Sequence, residues 1–314
     1  MPTECFDVRT KEGRTVAVWR DGPPDGDAAG PVVVMAPGFG QRMRSSGVLA
    51  LMLVYNGATV YRFDALDHVG LSDGEIVDYS LTQLMEALTA VVATVREREG
   101  VDAVSMVATS LSALPVLQLA ADKKCADNIA LMLGVVNGRQ TLVEVLDVDY
   151  LDWELDDLPA RVQIDKHSVD PRPIVAETRV VDWWEMSATV DALSVLNIPV
   201  RNFVATDDDW VDIADVRAAF EAANLDQRNV IEVAVSGHAL LRNPVALKAL
   251  LTDVTRSLVG GEDEPVMPSF EEIVSLRGSE RELERRHLAS RADGSVDSSA
   301  DSGADGGAEV AEQG

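Results

Sequence analysis

A strand-like run that stops abruptly at a small polar residue and resumes at once as a helix leaves a chain few ways to fold. Residues 104–117, VSMVATSLSALPVL, are such a run. Val104 to Ala108 read as a buried strand, Ser110 stands at the break, and a helix-compatible segment follows. A turn of this kind holds a serine hydroxyl above the edge of a parallel sheet. The usual version has glycine two residues before and two after the serine, because the turn crowds its neighbours; here Ala108 and Ser112 occupy those places and are small enough for the same geometry. Small-x-Ser-x-small is a common pattern, and a buried turn serine with no chemistry satisfies it equally well.

The order of residues downstream separates the two readings. Pro199 to Ala205 (PVRNFVA) is a strand candidate leading into Asp207, Asp208, Asp209, Trp210 and Val211, and Val230 to Val235 is the next, leading into Ser236, Gly237 and His238. Serine, then an acid after a later strand, then histidine after the last strand is the chain order of an α/β-hydrolase. Each group falls just past the carboxyl end of a strand, where a parallel sheet carries its working loops. His238 is the histidine placed after the last strand; His68, His167 and His287 lie before the acid strand, in an insertion, or near the C-terminus. Among the three aspartates, Asp208 fits the acid loop best, with Asp207 and Asp209 as alternatives.

Upstream, Thr15 to Trp19, Pro31 to Ala36 and Ala58 to Phe63 read as further strands, and Ile129 to Val136 as one that closes at Asn137. The run ending at Ala36 delivers the chain to Pro37, Gly38, Phe39 and Gly40. In a hydrolase this loop gives one backbone N–H to the oxyanion hole, here near Phe39, and Leu111, the residue after the nucleophile, gives the other. An ordinary strand-to-helix turn would look the same without Ser110. Arg42 and Arg44 follow at an expected helix start, where a cation opposes the helix dipole, so they hint at an anionic partner; solvated surface arginines are the plainer reading. Gly70 to Gly74 (GLSDG) also has elbow form, but a loop follows Ser72, which disqualifies it as nucleophile. His68, in the same stretch, reads as a structural hydrogen-bonding residue rather than a base.

Tyr79 to Glu99, Pro244 to Leu258 and Ser269 to Leu288 have helical spacing. Between them, residues 138–196 interleave acids with Tyr150, Trp153, Trp183 and Trp184 and are broken by Pro159, Pro171 and Pro173. This is too long for a connection and reads as a small cap that helps form the acyl pocket, or as a packing excursion without substrate contact. The expectation is one α/β domain over residues 1–288, with a mostly parallel central sheet flanked by helices and the cap inserted at about 138–196. From Ala289 to residue 314 the Gly-, Ser-, Ala- and Asp-rich composition predicts a disordered acidic tail.

With 53 acidic against 27 basic residues the 314-residue chain carries a net charge of −26, which disfavours nucleic acid and anionic membranes as partners. Cys5 and Cys125 are far apart and without metal spacing, so neither a disulfide framework nor a metal site is expected. The N-terminus lacks the apolar core of a signal peptide and no apolar run reaches the length of a membrane span, which predicts a soluble cytoplasmic protein.

The blocks AVW at 17–19, GF and RM within 38–43, FDALDHVGLSDG at 63–74, ATSLSA at 108–113, GVVN through DYL within 134–151, DDWV at 208–211 and SGH at 236–238 together resemble the bacterial bioluminescence acyltransferase family. The relaxed Ser-x-Ser turn is itself a trait of that family. The resemblance implies an α/β-hydrolase fold and an acyl-ACP thioesterase or acyltransferase that supplies fatty acid for aldehyde synthesis. It further implies Ser110 as nucleophile, Asp208 as acid and His238 as base, no cofactor, an acyl carrier protein or CoA thioester as substrate, and fatty acid reductase subunits as partners. The acidic cap and the tail depart from the family. A general carboxylesterase or lipase using the same triad is the alternative.

Overall fold

The computed structural model describes residues 3–22, 30–236, 243–260 and 263–292. Its centre is an eight-stranded sheet built from β1 (Thr3–Arg9), β2 (Thr15–Asp21), β3 (Val32–Ala36), β4 (Thr59–Phe63), β5 (Val104–Thr109), β6 (Ala126–Met132), β9 (Val200–Asp207) and β10 (Val230–Ser236). The spatial order is β1-β2-β4-β3-β5-β6-β9-β10. β1 and β2 pair antiparallel, as do β2 and β4, and every pairing from β4 to β10 is parallel. Strand β1 and the short hairpin β7 (Val162–Ile164) and β8 (His167–Val169) were not legible as runs. The expected strand 129–136 is displaced: β6 begins at Ala126 and ends at Met132, where Leu133 turns to φ 51°.

The parallel strands are apolar on both faces because helices cover both. In β3 the side chains of Val33 and Met35 join one core, and those of Val34 and Ala36 join the other, as the two-residue period of a strand requires. One face packs against α1 (Gly47–Tyr55) and α8 (Pro244–Val259). The other packs against α2 (Leu81–Glu99), α3 (Ala113–Lys123), α6 (Met186–Val195) and α7 (Ile213–Ala222). Helix α1 (GVLALMLVY) is apolar nearly all round, and its surroundings explain this: α8 and the last helix, α9 (Phe270–Ala292), close over the sides that the sheet leaves open. Helix α2 starts at Ser80, whose hydroxyl accepts the Gln83 N–H, and stops at Gly100 in the left-handed conformation.

The insertion comprises α4 (Gly138–Leu146), the β7-β8 hairpin, α5 (Pro171–Thr178) and α6. It is stapled to the core through Glu177. This buried carboxylate accepts the Leu81 and Thr82 N–H groups at 3.1 and 2.8 Å, the Thr82 hydroxyl at 2.8 Å and the Trp184 indole N–H at 2.7 Å. It thus caps α2 with a residue from α5, next to the favourable end of the helix dipole. Helix α9 runs to Ala292, four residues beyond Leu288, where the helix was expected to end.

Candidate active site

Strand β5 ends at Thr109, and the chain turns sharply through a single 3-10 turn, Ser110 to Ser112, before α3 begins. Ser110 takes φ 56°, a conformation that costs a side-chain-bearing residue about 1–2 kcal/mol. The turn is held by the small residues around it. Ser112, standing where glycine is usual, is fully buried; its hydroxyl receives the Thr109 N–H at 2.8 Å and donates to the Thr109 carbonyl at 2.9 Å. The Ser110 carbonyl accepts from Val135 N–H at 3.2 Å, tying the turn to the chain beyond β6. The strand, strained turn and helix outline expected from the sequence is therefore present, and Leu111 places its amide in the first turn of a helix, where N–H groups lack intrahelical partners.

On one side of β5 lies β3, in register so that Ala36 pairs with Ala108. The loop that follows β3 is folded back by a bond from Gln41 N–H to the Gly38 carbonyl at 3.0 Å, with Gly40 at φ 69°. A negative φ at Phe39 followed by a positive one at Gly40 is the sign pattern of a type II turn. Gly38 lies so close to the elbow that a Cβ there would sit 3.0 Å from the Thr109 carbonyl oxygen. The Gly40 N–H donates to His68 Nε2 at 2.9 Å, and Phe39 stacks edge-on against His68, Tyr79 and His167. Among the described residues the Phe39 amide makes no hydrogen bond, while those of Gly40 and Gln41 are spent.

On the other side, two strand spacings away or roughly 10 Å, β9 ends at Asp207. Asp208 follows, its Oδ1 accepting the N–H groups of Trp210 at 2.9 Å and Val211 at 3.1 Å. Those bonds hold the carboxylate in the loop, and α4 braces the loop from above, since the Thr141 hydroxyl donates to the Trp210 carbonyl at 2.9 Å. Asp207 remains inside β9, paired in register with Ser236 of β10. His238, two residues beyond Ser236, lies outside the described residues.

Arg42 and Arg44 flank Met43 after the β3 loop, and both donate to Glu284 of α9, at 3.1 and 3.0 Å. Ser72 is structural, as expected: its hydroxyl donates to the Asp64 carbonyl at 2.5 Å and receives the Ala17 N–H at 2.9 Å. Sequence reasoning did not foresee the pairing of His68 with the β3 loop, or the arrival of His167 from the β7-β8 hairpin. A histidine in FDALDHVG gave a signal, but not its partner.

Strand order, the sharp turn after β5 and the helices on both faces of the sheet define an α/β-hydrolase fold. A family model described as acyl transferase matches residues 5–286, and the chain belongs to that family. It is 31% identical over 287 residues to an acyl transferase of Photobacterium phosphoreum, covering 89% of this chain and 94% of the relative. It is 32% identical over 288 residues to one of Aliivibrio fischeri, covering 89% and 93%. Among solved structures it is similar to Est1E from Butyrivibrio proteoclasticus with ferulic acid bound, with a TM-score of 0.67, 15% identity, and 82% and 100% of the two chains covered. It is also similar to the thioesterase domain from the curacin biosynthetic pathway, with a TM-score of 0.52, 14% identity, and 80% and 99% covered. The protein is an enzyme of acyl transfer or acyl hydrolysis.

Proposed function

We propose that this enzyme cleaves long-chain fatty acyl thioesters, of acyl carrier protein or of CoA, through an acyl-serine at Ser110. The observation that carries the reading is the sharp turn at Ser110, left-handed in backbone, that joins the end of β5 directly to α3, the strand, turn and helix geometry of a nucleophile elbow. In this mechanism His238 takes the Ser110 proton as the hydroxyl oxygen attacks the thioester carbonyl, and Asp208 holds the imidazole tautomer. The tetrahedral oxyanion is met by the amides of Phe39 and Leu111. Collapse expels the thiolate, which takes the proton from His238; water or an acceptor hydroxyl or thiol then attacks the acyl-serine by the same route. Release of fatty acid for aldehyde synthesis is the physiological role that the resemblance implies.

Phe39 is supported as the loop's donor because its neighbours Gly40 and Gln41 have already committed their N–H groups. Arg42 and Arg44 remain the proposed landing point for an acidic carrier; their shared partner Glu284 means the carrier competes with a carboxylate already in place. Replacing both with alanine is expected to raise KM for the carrier-bound substrate.

The test is a quenched intact-mass measurement after mixing with acyl-CoA and acyl-ACP of graded chain length, beside Ser110→Ala. One acyl mass added to the wild type and none to the variant is the expected result. Turnover of simple oxygen esters with no reaction on any thioester would replace the thioesterase reading by the general esterase.

A further inference from the structure

Gly38 and Gly40 make the β3 loop flexible by composition, yet an oxyanion donor must point in one direction before the charge develops. Something outside the loop has to fix it. The Gly40 N–H donates to Nε2 of His68 at 2.9 Å, from a residue 28 positions away in the loop after β4. His68 is 5% exposed, walled by Tyr79 at 5.6 Å between ring centroids and by Phe39 at 5.9 Å. On the opposite side the cap contributes His167, whose ring lies 5.8 Å from that of Phe39. A Cβ on Gly40 would sit 2.7 Å from His167 Nε2, so the loop is enclosed from below and above.

We infer that His68 is a positioning residue for the oxyanion hole: its Nε2 lone pair, by accepting the Gly40 N–H, holds the peptide that follows Phe39 and so aims the Phe39 amide at the reacting carbonyl oxygen. The inference rests on the acyl-serine reading above. To accept at Nε2 the ring carries its proton on Nδ1 and is neutral. Burial keeps it so, lowering the pKa from 6.5 to about 4. A protonated ring would present a donor to a donor and release the loop. The Gly38 end is fixed independently by its close approach to Thr109, and the Gln41 N–H closes the turn, so the Gly40 bond adds a directed tie at the middle of the loop.

His68→Leu removes the acceptor while filling the pocket, and His68→Gln returns an oxygen at about the reach of Nε2. Each is measured for kcat and KM with the best thioester, for inhibition by a long-chain alkyl boronic acid whose tetrahedral adduct occupies the oxyanion hole, for fatty acid binding, and for Tm. Misaiming a catalytic group by about 1 Å costs about 10²-fold. His68→Leu is therefore expected to lose kcat and boronate affinity by about that factor while KM and fatty acid binding stay near wild type, with most of the loss recovered in His68→Gln. A His68→Leu enzyme equal to wild type in kcat and boronate affinity overturns the role. So does equal loss in both variants together with a lower Tm, which marks packing alone. A wild type that neither turns over thioesters nor binds the boronate overturns the acyl-serine reading, and this inference with it.

Discussion

The rim at the carboxyl ends of β3 and β5 and the edge region of the sheet, where β1, β2 and β4 meet α9, are held together by opposite means. At the rim the ties are neutral: the Ser112 hydroxyl on Thr109, the His68 ring on Gly40, and backbone bonds closing two tight turns. At the edge they are ionic. Arg62 of β4, fully buried, donates to Asp21 of β2 at 2.6 Å and to Glu280 of α9 at 2.5 Å, with its guanidinium 5.2 Å above the Trp19 ring. His287 and Arg291 of α9 reach Asp7 of β1 at 2.9 and 2.5 Å. The contrast has a physical reason. Backbone N–H donors fixed in advance meet charge as it develops on an oxyanion without reorganising, and neutral ties suffice to hold them in place. The ion pairs of the other region tie α9 to β1 and β4.

Four experiments test that division. Ser110→Ala, which removes the proposed nucleophile, is expected to cut turnover by about 10⁴- to 10⁶-fold while leaving Tm nearly unchanged. Arg62→Met, at the other region, is expected to do the reverse. It strands Asp21 and Glu280 without a cation, a loss of about 3–5 kcal/mol in denaturant unfolding, with kcat preserved wherever the protein is folded.

The third experiment uses pH. His68 is neutral when folded, with a pKa of about 4 against 6.5, so its contribution is present above pH 6.5 and is lost as pH falls to 4, about 3 kcal/mol in all. Asp64, pushed by burial from 3.8 to about 6, has the opposite sign: its contribution is greatest below pH 4 and is lost as pH rises through 6. The stability difference between wild type and His68→Gln is therefore expected to grow as pH rises from about 4 to 6.5, and a difference independent of pH would sink the account. The smallest effect concerns strain. Ser110→Gly relieves the left-handed backbone that Ser110→Ala retains, and is expected to be more stable than the alanine variant by about 1 kcal/mol, read as a shift in denaturation midpoint.

Much of the rim was readable in advance because its signals are local. Val104 to Ser112 carries strand, turn and helix within one short window, the loop after Ala36 follows a run of valines, and the loop after Asp207 follows the largely apolar β9. The strand expected over 129–136 failed at its end, since LMLGVV is apolar throughout and only the Leu133 turn, closed by its N–H on the Phe203 carbonyl at 2.8 Å, marks where the sheet stops. β1 was missed because TECFDVR alternates only weakly, and its strand character comes from pairing with β2. Arg42 and Arg44 read as surface cations; that both meet one glutamate 240 or more residues away was beyond any local pattern.

The sequence by itself determined the parallel αβ alternation, the sharp turn at Ser110 and the chain order of Ser110, Asp208 and His238, because hydrophobic period, turn chemistry and order are properties of neighbouring residues. Only the tertiary structure decided that His68 holds Gly40, that Glu177 of the insertion caps α2, and that α9 closes over Arg62. Those bonds join residues 28, 96 and 218 positions apart, and what selects such partners is the packing that excludes water from them, which no window of sequence contains.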